Sequence, residues 1–166
     1  LTWFLIQPFY EQSTLPKYVL GIALFLFFIS AAIGNLFAEK IIKRIKRDKL
    51  LLILILIASL CFISMFVFNN WWALLLISIM SFVCGIRDIF ISKEMHDNTE
   101  SHHRATVVSV KSMSKSVMYA ILAPLIGYLT DVFTPGAAFL MFGIGLLIFF
   151  IYYFVMYLVS KDNKIL

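Results

Sequence analysis

A chain of 166 residues that is 62% hydrophobic and 14% charged, with a mean hydropathy of +0.96, does not have the make-up of a soluble domain. Soluble domains run at roughly 45–50% apolar and roughly 25% charged, so this composition marks a membrane protein. A net charge of +5 could suit nucleic acid, but the cations gather in the connectors between apolar runs, which excludes nucleic acid as the expected partner.

The chain opens on Leu1 with no basic flank or cleavage site ahead of residues 1–9, which are too short to span a bilayer. They read as the end of a spanning helix, so the chain is expected to be a fragment that begins inside a helix of a longer protein. Trp3 and Tyr10 suit an interface, Pro8 bends the last turn, and Gln7 shares a face with Trp3. A polar turn over 11–16 leads into five expected spans, 18–39, 50–68, 71–92, 106–130 and 137–159, each near the ~20 residues that a ~30 Å hydrocarbon core demands. Together they form a single membrane domain over 1–166.

Lysine and arginine counts orient these spans. The connector over 40–49 holds Lys40, Lys43, Arg44, Lys46, Arg47 and Lys49; the next connector on that side adds Lys93 and Arg104, and the tail adds Lys161 and Lys164. The opposite side holds only Lys17. The basic side is therefore expected in the cytoplasm of a cell (inner or plasma) membrane, and the chain ends inside.

The spans differ in character. Those over 50–68 and 137–159 are apolar all round, as lipid-facing helices are. The first complete span carries Gly21, Ala23, Ser30, Ala31, Ala32, Gly34 and Ala38, which let helices approach closely, with Asn35 and Glu39 on one face near its end. Cys61 and Cys84 stand singly in apolar runs, without metal or disulfide spacing, and read as packing residues.

The segment 104–131 is the most informative. At 100° per residue from Ser109, the residues Lys111, Lys115, Tyr119, Ser112 and Ser116 fall at about 200°, 240°, 280°, 300° and 340°. Val107, Val110, Met113, Val117 and Ala120 take the opposite arc. Lipid cannot solvate such a wet face, so it turns toward protein or a water-filled cavity, which points to a transport pathway. Lys115 is eleven residues past Arg104, ~16 Å along the axis and close to mid-membrane, whereas Lys111 lies only ~10 Å in.

The chain resembles the C-terminal half of a major facilitator superfamily transporter of bacterial type. The resemblance rests on Trp3-x-x-x-Gln7-Pro8, on the basic connector 40–49, and on Arg104-Ala-Thr-Val-Val-Ser109 followed by Pro124-x-x-Gly127-x-Leu-x-Asp131. It covers essentially the whole chain. It implies an all-α polytopic helix bundle, the C-terminal six-helix half with its first helix truncated. The partner would be a missing N-terminal half, with a cavity between the halves. The family's cytoplasmic signature departs at Ala38, where an acid is expected.

Lys115, Ser112, Ser116, Tyr119, Lys111 and Gln7 are thus the candidate substrate or ion pathway. Arg87 and Asp88, ~24 Å and ~26 Å along the helix from Trp71, are placed at a cytoplasmic gate with Glu39 and Arg104. Because neighbouring residues diverge on a helix, Arg87 and Asp88 are expected to pair with other helices rather than with each other. His96, His102 and His103 belong to a solvated connector, and no metal site or cofactor is expected. No Walker loop, nucleophile elbow, metalloprotease helix or dinucleotide motif occurs, so the reading is a transporter and not an enzyme. Its partners are the lipid bilayer and a small-molecule substrate moved by alternating access. An ion gradient drives it, with the proton as coupling ion by analogy. The rival reading is a non-transporting membrane sensor or assembly subunit with the same fold.

Overall fold

The computed structural model describes residues 2–12, 15–68 and 70–162, and within these not the side chains of 2–4 and 160–162. Leu1, Lys164 and the side chains of Trp3 and Lys161, all used in reading the sequence, lie outside the described residues. The described chain is six α-helices without a strand: α1 Thr2–Glu11, α2 Tyr18–Arg44, α3 Arg47–Val67, α4 Trp72–Asp97, α5 Arg104–Val132 and α6 Pro135–Asp162, with a 3-10 turn at Ser101–His103 before α5.

Local chemistry explains most of the boundaries. Lys43 and Arg44 occupy the last turn of α2, where cations oppose the helix dipole, and Ile45 then turns extended while its N–H still reaches the Ile41 carbonyl at 3.1 Å. Asp48 sits in the first turn of α3, the complementary placement. At the end of α4 the Glu94 carbonyl accepts both the Asn98 N–H at 3.2 Å and the Asn98 side-chain amide at 2.8 Å. α6 starts on Pro135, with Thr134 Oγ1 accepting from the Ala137 N–H at 3.2 Å, an N-cap hydroxyl before a first-turn proline.

Several helices outrun the hydrophobic runs that announce them. α2 continues through Arg44 and α4 through Asp97, so the basic connector 40–49 is mostly helical, with Ile45 and Lys46 as its turn. Lys, Arg and Glu are good helix formers, and a helix has no reason to stop where apolar sequence does. At 27 residues, α2 is ~40 Å long, about 10 Å more than a hydrocarbon core.

Two apolar clusters define the ends of the bundle. One joins Phe9 and Tyr10 of α1, Val19 and Ala23 of α2, Phe62 and Met65 of α3, Ala73 and Ile77 of α4, Ile126 of α5 and Phe139 of α6. The other joins Ala38 of α2, Leu50 and Leu54 of α3, and Val83, Ile86 and Phe90 of α4. Consecutive helices therefore alternate in direction, and the connectors that carry the cations converge at the second end. There Arg47 pairs with Glu94 at 3.0 Å, and the Tyr153 hydroxyl approaches Asp48 at 3.5 Å. α5 adds no buried residue to this second cluster.

Close helix contact comes from glycine at two seams. On α2 and α4, a Cβ on Gly34 would strike the Phe82 carbonyl oxygen, and one on Gly85 would strike the Ala31 carbonyl oxygen. The contact is reciprocal and backbone to backbone, as small residues allow in membrane bundles. On α6, a Cβ on Gly143 would lie 2.7 Å from Ile63 Cγ1 and 2.9 Å from the Ile63 amide nitrogen, which brings α6 onto α3. α3 and α6 look apolar all round in sequence. In the fold, one face of each is sealed against the other, as the packing of Phe62 on Phe139 shows.

One buried polar atom of α4 lacks a partner. Ser81 is 0% exposed, and its hydroxyl has no hydrogen-bond partner among the described residues. A hydroxyl buried unpaired costs on the order of 1–3 kcal/mol. Ser81→Ala is therefore expected to raise the thermal unfolding temperature of the detergent-solubilised protein; a lower temperature would show that the hydroxyl is satisfied in the membrane.

Candidate functional site

Four helices, α2, α3, α4 and α6 through Val159, are long and apolar enough to cross a membrane. α5 has the length, at 29 residues, but not that apolarity, because the first half of it carries two lysines and a series of hydroxyls. The sequence expectation of a span over 106–130 thus meets a helix that hydropathy alone does not qualify. The polarity that disqualifies it is the wet face itself.

Most of α5 packs against nothing in the described bundle: Val110, Met113 and Val117 of the apolar arc are exposed, and so is much of the polar one. Ser112, Lys115 and Ser116 are exposed, and Lys111 and Tyr119 are half-buried. Lys111 Nζ donates to Ser92 Oγ of α4 at 2.9 Å, and Lys115 Nζ stands 5.7 Å from the centre of the Tyr119 ring. Ser116 Oγ donates back to the Ser112 carbonyl at 3.1 Å, a local bond that leaves its lone pairs free to accept. These residues share a face because their spacing matches the helical repeat. Sequence reading singled them out but missed Ser92, an ordinary hydroxyl near the end of an apolar run.

The Lys111–Ser92 bond sets the register of α5 on α4. Arg87 is five residues from Ser92 and Ser116 is five from Lys111, each ~7.5 Å deeper along antiparallel helices. Arg87 is thus level with the Lys115–Ser116 turn. The mouth of α4 lies further out, because α4 runs on to Asp97.

Arg87 and Asp88 pair with each other, contrary to the expectation that each would seek another helix. Arg87 Nη2 and Nε donate to Asp88 Oδ1 at 2.8 and 3.1 Å. The Cβ vectors of adjacent residues do diverge by about 100°, but a four-torsion arginine can fold back around the helix to its neighbour.

The other expected gate and pathway residues stand apart from this face. Glu39 meets Lys43 one turn on, at 3.9 Å, with both side chains exposed. Arg104 Nε donates to the Thr99 carbonyl at 3.3 Å, folding the connector onto the start of α5. Gln7 is exposed, and its Nε2 donates to Glu11 Oε1 at 2.8 Å, along α1. His102 and His103 pack ring edge to face at 4.7 Å, and among the described residues no group of three or more His, Cys, Asp or Glu is placed to hold a metal ion.

Alternating helices, glycine seams and four helices apolar enough to span define a multi-pass membrane helix bundle. The family model for the Major Facilitator Superfamily matches residues 1–165, and the chain belongs to that superfamily, whose members are transporters and not enzymes. No curated protein and no solved structure matches the chain.

Proposed function

We propose that this bundle is one half of a secondary active transporter that moves a small molecule by alternating access, driven by an ion gradient. The observation that carries the reading is the polarity of one face of α5, where Lys111, Ser112, Lys115, Ser116 and Tyr119 share one side of a membrane-length helix. Lipid cannot satisfy that face, so α5 crosses the membrane with it turned toward a second bundle and a hydrated path between the two. Arg87 and Asp88, level with Lys115, form an ion pair exposed toward the same region and suited to breaking and remaking as the path opens. The basic end faces the cytoplasm of the cell membrane by the positive-inside rule. A proton is the proposed coupling ion, by analogy with ion-driven relatives.

Cysteine accessibility tests this reading. In the full-length protein, with Cys61 and Cys84 replaced by alanine, single cysteines at Ser109, Ser112, Ser116 and Tyr119 are expected to react with a membrane-impermeant maleimide. Cysteines at Val110 and Val117 are expected to stay unreactive. Uniform protection along both faces would remove the pathway and favour a non-transporting sensor or assembly subunit.

A further inference from the structure

The charges within the membrane-embedded part of the bundle do not balance. From the level of the Lys111–Ser92 contact inward, the ionised side chains on the described helices are Arg87, Asp88, Lys111 and Lys115, three cations and one carboxylate, with Lys93 and Glu94 just outside that level. Glu11, Lys17 and Asp131 lie toward one end, and Glu39, Asp48, Lys93, Glu94, Asp97, Glu100, Arg104 and the six cations of the connector 40–49 lie toward the other. The one interior carboxylate is already held, since Asp88 Oδ1 accepts two hydrogen bonds from Arg87. Neither lysine is in an ion pair among the described residues: Lys111 meets a neutral hydroxyl and Lys115 the face of a ring.

An ammonium group inside a membrane is expensive, and a hydroxyl or a ring compensates it only in part. Each lysine keeps donor capacity after its present contact, because an ammonium has three N–H groups. The Ser112 hydroxyl can donate as well as accept, and Arg87 adds a further positive group at the same level. The face is therefore rich in donors and positive potential, and poor in anionic acceptors. A cationic cargo would be repelled there, and a neutral one would leave both ammonium groups to water and their present contacts.

We propose that this face binds a small organic anion, one bearing a carboxylate, phosphate or sulfonate group. Its charged group sits between Lys111 and Lys115, which are one turn apart with a rise of ~6 Å. This assignment rests on the transport reading above and adds to it the sign of the cargo's charge.

The sign of the potential can be measured before any cargo is known. In the full-length protein with Cys61→Ala and Cys84→Ala, a cysteine at Ser116 is reacted with two methanethiosulfonate reagents of similar size. One carries a sulfonate and the other a trimethylammonium group. Rates are divided by those for a free thiol in water. The sulfonate reagent is expected to be favoured by about tenfold, since a charged cleft focuses counter-ions by that order or more. Replacing both Lys111 and Lys115 by glutamine is expected to bring the ratio to within about twofold of the free thiol, and salt to weaken it in the parent. Reaction with no preference, or with preference for the trimethylammonium reagent, would overturn the anion assignment while leaving a hydrated path. A carboxylate from another segment that neutralises the lysines would produce that result. Failure of both reagents to react would instead remove the transport reading itself.

Discussion

Gly85→Leu is expected to abolish accumulation of folded protein, and Gly34→Leu to do nearly the same. At each position the atoms that a side chain would meet are backbone of the opposing helix. For Gly85 these are the Ala31 carbonyl and the Asn35 amide nitrogen at 3.0 Å; for Gly34 they are the Phe82 carbonyl oxygen, its carbon at 3.1 Å, and Cα at 3.2 Å. A flexible side chain could rotate away, but a helix backbone cannot. Overpacking usually costs about 1–3 kcal/mol, and a leucine against two rigid backbones belongs at the top of that range or above it. Gly21→Ala is the matched control, because nothing lies within 4 Å of its would-be Cβ. There, removal of a helix-interior glycine is expected to stabilise by about 0.5–1 kcal/mol. Size-exclusion profiles and thermal unfolding in detergent would separate the two, and a monodisperse Gly85→Leu protein as stable as Gly21→Ala would refute the seam. The consequence reaches function, because Gly85 is two residues from Arg87 on the helix that also presents Ser92 to Lys111. Separating α2 from α4 would move both polar contacts.

Lys115→Ala in the full-length transporter is expected to lower transport by about tenfold or more at equal membrane abundance. A charge-assisted hydrogen bond to cargo contributes about 1.5–3 kcal/mol, and ~1.4 kcal/mol corresponds to tenfold. Lys115→Arg keeps the charge but not the compact ammonium geometry, so it is expected to retain part of the activity. Lys115 is exposed, and its ring contact with Tyr119 is local to one turn of α5, so alanine is not expected to unfold the bundle. Transport unchanged per molecule in the membrane would take Lys115 out of the pathway. Reduced abundance with unchanged transport per molecule would make it a structural residue.

The physics of a bilayer made much of this protein readable without coordinates. Long apolar runs without water to satisfy the backbone can only be helices, so an all-α membrane bundle follows from composition and run length. The wet face of α5 was equally legible, because helical periodicity places Lys111, Ser112, Lys115, Ser116 and Tyr119 together before any neighbour is known. Helix ends were less so. Hydropathy marks where lipid stops, whereas α2 and α4 continue into charged sequence of good helix propensity, to Arg44 and Asp97.

By itself, then, the sequence determined which segments are helices, their alternation, the basic end and the polar side of α5. Tertiary structure decided which faces meet. For α3 and α6, apolar on every side, no sequence signal chooses a face; Gly143 against Ile63 chooses it. Gly85 looked like any other glycine in an apolar run until the Ala31 carbonyl was found against it. The depth of Arg87 relative to Lys115 likewise depends on the Lys111–Ser92 contact, which spans 19 residues and two helices. Periodicity describes one helix about its own axis. The rotation and offset of two helices are set by atoms on both, and those meet only once the chain has folded.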